Sequence, residues 1–574
     1  MGEWLRFVRR GYHSFLYALL SILGLLQLLD VLKVEYVIFV HRGSSYQVFK
    51  LPFRVVLPLI VLVGVWILLM AFQKNVKVLV FPFLSLVVYP FLGFDGFISV
   101  FSLLAVVCVL WFYRDFESFL TWVFLLFGGF EALSLFHWLI FLPLGLITPF
   151  KAFADFEMEL SHVVMNLGPY LALILVFISL LKPLNYLRER SKEFKHRDYD
   201  VSDNTALFLL IILLFSVLAG LYPYFQNINE SGVDVGVDTR FYLPDVKAVE
   251  DDIFQIFKTL GGSRPFFFLV VFTIQKIFNL DALTVIRYLP VFFNPLLTLS
   301  VYFFSKELFN NKTIAVWTAF FTAFGYTITV GIYSNFLTNL LGLCFAFLSI
   351  GFFFRSIRRS GKSDFILSAL FAVLLIFTHP WTFDQYIIPL VLTLFISSLL
   401  FRNEISVLSK KGMVGIYIIL FIFIIFIGLA ELMKINFLQS YGIIKALYDI
   451  FKSVTSYTTF WQHLIWGIKF TFGSLLLNIV SLCLMIVGIL NLRFNKIQEQ
   501  YLTLFMAATS AIFLIMATVI KSRLFYNIPV GVLSALGLKH ILNRIKNITL
   551  RKSLTYFIIL NLSVYLFRGL ANLV

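Results

Sequence analysis

Carboxylates crowd together in one long stretch of an otherwise apolar chain, SGVDVGVDTRFYLPDVKAVEDDIFQIFKTLGGSRPFFF, from Ser231 to Phe268. Asp234, Asp238, Asp245, Glu250, Asp251 and Asp252 stand there beside Arg240 and Arg264. Acids among guanidinium groups suit one kind of chemistry: a carboxylate takes a proton from a hydroxyl while cations hold a departing anion such as phosphate. Asp238 is the first candidate for the base and Asp234 the second. Further cations that can reach an anion are Lys521 and Arg523 in MATVIKSRLFYNIPV, and His379 in FTHPW. Each also has a structural reading. Asp238 can make an Asx-turn ahead of a helix, Glu250, Asp251 and Asp252 can be the solvated face of one, and His379 can cap a helix end before Pro380. Arg240, Arg264, Lys521 and Arg523 can anchor to lipid headgroups by snorkelling.

The elements that must position these residues are apolar. Of 574 residues, 60% are hydrophobic and only 13% charged, and the mean hydropathy is +0.94. This is the composition of a polytopic membrane protein. A spanning helix needs roughly 20 apolar residues, and Val55–Phe72, Gly96–Tyr113, Thr205–Asn229, Met413–Ala430 and Tyr501–Ile520 contain no ionisable side chain. Thr313–Phe354 is long enough for two spans. The runs lack the period-two alternation of a membrane barrel, so the expected fold class is all-α. The first residues, MGEWLRFVRR, precede an apolar run without a small-residue cleavage site, which reads as a retained span. Cys108, Cys344 and Cys483 all fall inside apolar runs, and form neither a disulfide framework nor a ligand cluster. The formal charge of +16 sits in short loops, which topology explains without nucleic acid.

Basic loops orient the chain, because short cytoplasmic loops collect Lys and Arg. KPLNYLRERSKEFKHR from Lys182, RSIRRSGK from Arg355, FRNEISVLSKKG from Phe401 and KHILNRIKNITLRK from Lys539 are placed inside. The acidic stretch then lies outside, with the turn carrying Lys521 and Arg523. Parity between Asn204 and Arg355 requires that one apolar run not span. Pro265–Leu280, short and carrying Gln275 and Lys276, is assigned to the outer interface. Asp245–Leu260 has Val246, Val249, Ile253, Phe257 and Leu260 at helical spacing and stops at Gly261–Gly262, which makes a second surface-lying helix. The expected organisation is an N-terminal extension of about six spans over residues 1–182, a basic linker over 183–204, and a membrane domain over 205–574 with an outer loop at 223–283.

From Thr205 onward the order of elements resembles the C-type glycosyltransferases, the integral-membrane superfamily that includes protein O-mannosyltransferases and lipid A aminoarabinose transferases. VDTRFY, with Asp238 and Tyr242, is similar to the acidic motif of that family's first outer loop. GGSRPFFFL is similar to the start of its interfacial helix, and Arg287 in TVIRYLPVFF to the Arg opening the next span. SNFLTNLLGL at Ser334, FTHPW at Phe377 and SRLFYNIPVGVLSALGL at Ser522 look like later outer-face elements. The segment GIYSNFLTN departs from the family pattern: it offers Tyr333, Ser334, Asn335 and Asn339 but no second acid.

The resemblance implies an inverting transferase that moves a sugar from a polyprenyl phosphate to an acceptor on the extracytoplasmic side of the cell membrane. Asp238, or else Asp234, is the expected base. Arg523, Lys521, Arg264, Arg240 and His379 are expected at the donor phosphate, and Tyr242 and Asn335 at the substrate. No metal ligands are assigned, since a divalent-metal site would want the missing second acid. The expected partners are the lipid-linked donor, a lipid, glycan or protein acceptor, and membrane lipids, with no nucleic acid. A transporter or lipid flippase stays open as the alternative, as does a noncatalytic assembly subunit. A coupled transporter would place carboxylates near the bilayer midplane, whereas the spans after Thr205 are nearly free of charge. Glu131 and His137, inside the apolar run Ser118–Ile147, are either functional or simply bonded between helices. The basic stretch VEYVIFVHRGSSYQVFKLPFR from Val34 alternates apolar and polar residues around Gly43 and reads as a small hairpin.

Overall fold

A computed structural model of the chain describes residues 116–136, 171–183, 205–400 apart from 227, 230, 231, 233, 260–263 and 360, then 478–515 apart from 494 and 495, and 521–571, with the isolated positions 139 and 415. The expected hairpin at Val34, the spans before Phe116, His137, the basic loops from Lys182 (beyond Pro183) and from Phe401, and all but Gly415 of the Met413–Ala430 span lie outside the described residues. Among the described residues every regular element is helical.

The chain divides into two compact units. The first comprises residues up to Leu167 together with Arg544–Val564. Its described core pairs α1 (Phe116–Phe136) with the first part of the last helix (Ile548–Ala571). Gly128 lets that helix approach: a Cβ there would lie 2.5 Å from the ring of Tyr556. Phe124 and Phe127 meet Phe557 at ring distances of 5.4 and 6.2 Å. One turn further on, Asn561 donates its Nδ2–H to Glu131 Oε1 at 2.7 Å. The interhelical bonding open to Glu131 is therefore present.

The second unit holds Gly168–Asn543 and Tyr565–Val574. After α2 (Leu171–Pro183) come α3 (Thr205–Leu221), α4 (Thr239–Asp251), α5 (Pro265–Phe278) and α6 (Ala282–Phe309). Next are α7 (Lys312–Ala323), α8 (Tyr326–Ser334), α9 (Leu337–Arg359), α10 (Lys362–Thr378) and α11 (Pro380–Leu400). The series ends with α12 (Ile479–Leu490), α13 (Ile497–Ile515), α14 (Lys521–Tyr526), α15 (Val530–Arg544) and, from Tyr565 onward, the last part of α16 (Ile548–Ala571).

Among the described residues, four stretches are long and apolar enough to cross a membrane: Thr205–Tyr224, Ala282–Phe309, Lys312–Ser334 and Leu337–Arg359. The last two are the pair expected from Thr313–Phe354. Between them α8 ends on Asn335 in the left-handed region, φ 52°, a conformation Asn tolerates better than most residues. At 14 residues α5 is about 21 Å long, against a hydrocarbon core of about 30 Å, and it is not among the four.

Local chemistry sets the helix ends. Asp281 starts α6 by accepting from Leu283 N and Thr284 N, each at 3.0 Å, and Asn311 starts α7 by accepting from Ile314 N. The surface helix expected over Asp245–Leu260 begins six residues earlier, at Thr239, and breaks at Asp252. There the Asp252 carboxylate caps a 3-10 turn over Ile253–Phe257 by accepting from Phe254 N at 3.0 Å. Small residues close the packing elsewhere. A Cβ on Gly488 would meet Leu533 O at 2.1 Å, and one on Gly537 would meet Leu484 O at 1.9 Å, so α12 and α15 lie backbone to backbone.

Charges gather at both ends of α6. At its start Arg287 Nε donates to Asp234 Oδ1 at 2.5 Å. Near its end Arg358 bonds the Glu307 carboxylate, while Arg355 donates to Asp364 at 2.6 Å and lies over the rings of Phe303 and Phe352. From Arg287 to Glu307 the helix rises about 30 Å, the thickness of a hydrocarbon core. The basic loop at Arg355, Glu307 and Asp364 thus meet at one end of α6, and the acidic loop meets the other.

Candidate functional site

The acidic loop is fastened to the turn between α8 and α9. Val237 N donates to Tyr333 O at 3.2 Å and Asp238 N to Ser334 O at 3.0 Å. This close approach depends on Gly236, whose φ is +104°. A Cβ there would lie 2.3 Å from the Cβ of Asn335. On the far side of the contact, Asn335 Nδ2 donates to Thr239 Oγ1 at 2.7 Å, and Thr239 Oγ1 donates to Val235 O at 3.1 Å. Asn335, expected at the substrate, is thus a pin that holds the loop beside Asp238.

Asp238 occupies the N-cap position of α4, yet its side chain makes no capping bond to that helix, and it is 8% exposed. The turn-making reading of its carboxylate is therefore not the geometry found. Tyr242 follows one turn later on the same face of α4. Its hydroxyl pairs with Thr338 Oγ1 at 3.1 Å, and the same Thr338 oxygen accepts from Arg264 Nη1 at 2.9 Å. Arg264 immediately precedes Pro265, the first residue of α5, so loop, helix start and the first turn of α9 converge on one threonine. Asp238, Tyr242 and Arg264, read from separate parts of the acidic loop, are thereby brought to one place by Asn335 and Thr338.

The other candidates fall elsewhere. Asp234 is held by Arg287, which also donates to Gly232 O at 3.3 Å, in an ion pair whose side chains are 38% and 30% exposed. Arg240 is exposed and lies over the Phe241 ring at 4.8 Å. Glu250, Asp251 and Asp252 are exposed, as a solvated face requires. His379 is 1% exposed. Its Nδ1 accepts from Thr382 N at 3.3 Å and pairs with Thr382 Oγ1 at 2.7 Å, which caps the start of α11 and puts the ring proton on Nε2. Lys521 and Arg523 begin α14; their side chains lie outside what the structure describes. No group of three or more His, Cys, Asp or Glu residues able to hold a metal comes together among the described residues.

A buried polar network lies under this site, and sequence reasoning passed over most of it. Asn527 donates to Thr382 Oγ1 at 3.0 Å and to Gln385 Oε1 at 3.1 Å, and its Oδ1 accepts from Asn339 Nδ2 at 3.2 Å. Tyr386 Oη donates to Asn527 O at 2.7 Å, and Gln385 Nε2 reaches Leu524 O at 2.8 Å. Asn339 follows Thr338 directly, so the network continues the turn that gathers Tyr242 and Arg264. It joins SNFLTNLLGL, FTHPWTFDQY and SRLFYNIPV, three stretches separated by dozens of residues. The available signal was the pair of amides, Asn339 and Asn527, isolated in apolar surroundings where a polar side chain must find a partner.

Chemically, the arrangement offers a buried carboxylate at a helix start, a phenol and guanidinium sharing one hydroxyl, and the exposed Arg240 on the same loop. Compared with known proteins, the chain matches no family model and no curated protein.

Proposed function

We propose that the chain is a polytopic membrane glycosyltransferase of the C-type, moving a sugar from a polyprenyl-phosphate donor to an acceptor hydroxyl on the extracytoplasmic side. The observation that carries the reading is the convergence of Asp238, Tyr242 and Arg264 on the Asn335–Thr338 turn. A base, a hydroxyl donor and a phosphate-sized cation are what this transfer needs. In this reading Asp238 takes the acceptor hydroxyl's proton as the acceptor oxygen bonds to the anomeric carbon. The bond from that carbon to the phosphate oxygen breaks on the opposite face, by the logic of inverting glycosidases. The released phosphate carries the electron pair away and is held by Arg264, with Arg240, Arg523 and Lys521 completing the cation set. Thr338 orients both Arg264 and Tyr242, and Asn335 with Gly236 sets the height of Asp238. The Asp234–Arg287 pair braces the loop onto α6, and His379 belongs to the packing below.

The test is transfer of radiolabelled sugar from a polyprenyl-phosphate donor in proteoliposomes holding the purified full chain, with lipid movement between leaflets followed in the same vesicles. Sugar transfer without donor scrambling is the expected result. Donor scrambling with no transferred label would replace this reading with a flippase.

A further inference from the structure

Near the middle of α6 stands a side chain that nothing above explains. Asn294 is 0% exposed, and among the described residues neither its Oδ1 nor its Nδ2 has a hydrogen-bond partner. It sits about 18 Å from the start of the helix, among the most apolar surroundings in the chain. Burying both ends of an amide unpaired costs several kcal/mol by the usual scale of about 1–3 kcal/mol per group. Groups left like this in a native interior call for an ordered water or an ion.

The backbone around Asn294 has the complementary need. α6 contains Pro290 and Pro295, and proline has no N–H, so the carbonyls of Ile286 and Val291 lose their helical donors. Val291 O and the Asn294 amide lie within a single turn. Gly220 of α3 packs directly against this turn, where a Cβ would meet Val291 N at 2.8 Å and Val291 Cα at 2.9 Å, and it brings no polar side chain to the carbonyl. The hydroxyls of Thr298 and Ser216 are already occupied: Thr298 Oγ1 donates to Asn294 O at 2.9 Å and lies 3.0 Å from Ser216 Oγ. Ser216 in turn donates to Ile212 O.

We propose that the proline-interrupted turn of α6 is a binding site for internal water, which bridges the carbonyl of Val291 to the side-chain amide of Asn294. Water both donates and accepts, as this set requires, and prolines inside membrane helices are tolerated where waters re-satisfy the freed carbonyls. A bare cation would find two neutral oxygens but also an amide N–H, which repels it, and no carboxylate among the groups named here. The neutral ligand is therefore the one that fits.

Two measurements on the purified full chain in nanodiscs test this. In synchrotron hydroxyl-radical footprinting of the wild-type protein, radicals born from bound water mark what lies beside it, so the Phe293–Asn294 segment is expected to be labelled above the equally buried Phe304–Ser305. Equal protection of the two segments overturns the proposal. In thermal melts, Asn294→Leu is expected to lower the midpoint, because it strands the water and the Val291 carbonyl, and to lower it less in a Pro295→Ala background, where the helix meets that carbonyl itself. An unchanged or raised midpoint in Asn294→Leu, strict additivity with Pro295→Ala, or a wild-type midpoint that shifts when choline chloride is exchanged for sodium chloride would each overturn it. If Asn294→Leu does not fold, the footprint decides alone.

Discussion

Replacing Gly236 with alanine strikes the contact on which the site depends. At φ +104° any residue with a Cβ is strained, by about 1–3 kcal/mol. The added methyl would stand 2.3 Å from the Asn335 Cβ, against a comfortable carbon–carbon separation of about 3.5–4.0 Å. The two segments must part by more than about 1 Å by that measure. Such a shift takes with it the bonds from Val237 N to Tyr333 O and from Asp238 N to Ser334 O, and the Asn335–Thr239 bond, each worth about 1 kcal/mol. Strain and lost bonds together come to about 4–6 kcal/mol. Because the loop can detach without unfolding the helices beneath, this loss falls on local opening and leaves the global melt almost unmoved. Hydrogen exchange of the peptide carrying Val237 and Asp238 should accelerate by about 10³- to 10⁴-fold, at roughly 1.4 kcal/mol per decade. Unchanged exchange in Gly236→Ala, with the wild-type melting midpoint, would refute the packing described for this loop.

Asn527→Leu strips partners from Asn339, Thr382 and Gln385 at once; at about 1–3 kcal/mol per stranded group it should lower the thermal midpoint more than any other single change in the network, and a wild-type midpoint would contradict the network. Arg287→Ala removes an ion pair that is about a third exposed on both sides, so stability should fall by about 0–1 kcal/mol and the difference should vanish in high salt; a large salt-independent loss would show that the pair does more than brace the loop. Asp281 is an exposed cap whose carboxyl the Thr284 hydroxyl and N–H hold below its ordinary range. Its stabilising effect is therefore present above the unfolded value of about pH 4 and is lost as pH falls through the lower folded value. The midpoint difference between wild type and Asp281→Ala should be full at neutral pH and shrink below about pH 4, and a difference independent of pH would remove the charge from the account.

How much of this was legible depended on the range of the interactions. The spans from Thr205 to Arg359 followed from apolar length, and the short α5 was separable because parity and Gln275 argued against a crossing. The start of α4 was misplaced for a physical reason. Pro244 looks like a boundary, since an interior proline removes a helical bond, so a reader begins the helix after it. Here the helix is begun instead by Val237 and Asp238 bonding to Tyr333 and Ser334, nearly a hundred residues away. No local pattern encodes that. Asp238, Tyr242 and Arg264 could be picked by residue type, but Thr338 could not: an interior threonine in an apolar run is unremarkable until two side chains from other elements bond its hydroxyl. His379 stood out for its ring and Pro380, and its cap to Thr382 is the structural option that those neighbours suggested.

The central claim is that Asp238 is the base. Single-turnover sugar transfer in proteoliposomes, with polyprenyl-phosphate sugar donor bound in advance, compares wild type with Asp238→Asn and Asp234→Asn at equal folded protein. General-base assistance contributes typically 10²–10⁴-fold, so Asp238→Asn should bind donor as wild type does and transfer slower by about that factor, while Asp234→Asn stays within a few-fold. Near-wild-type transfer by Asp238→Asn, with the large loss appearing in Asp234→Asn instead, would contradict the account.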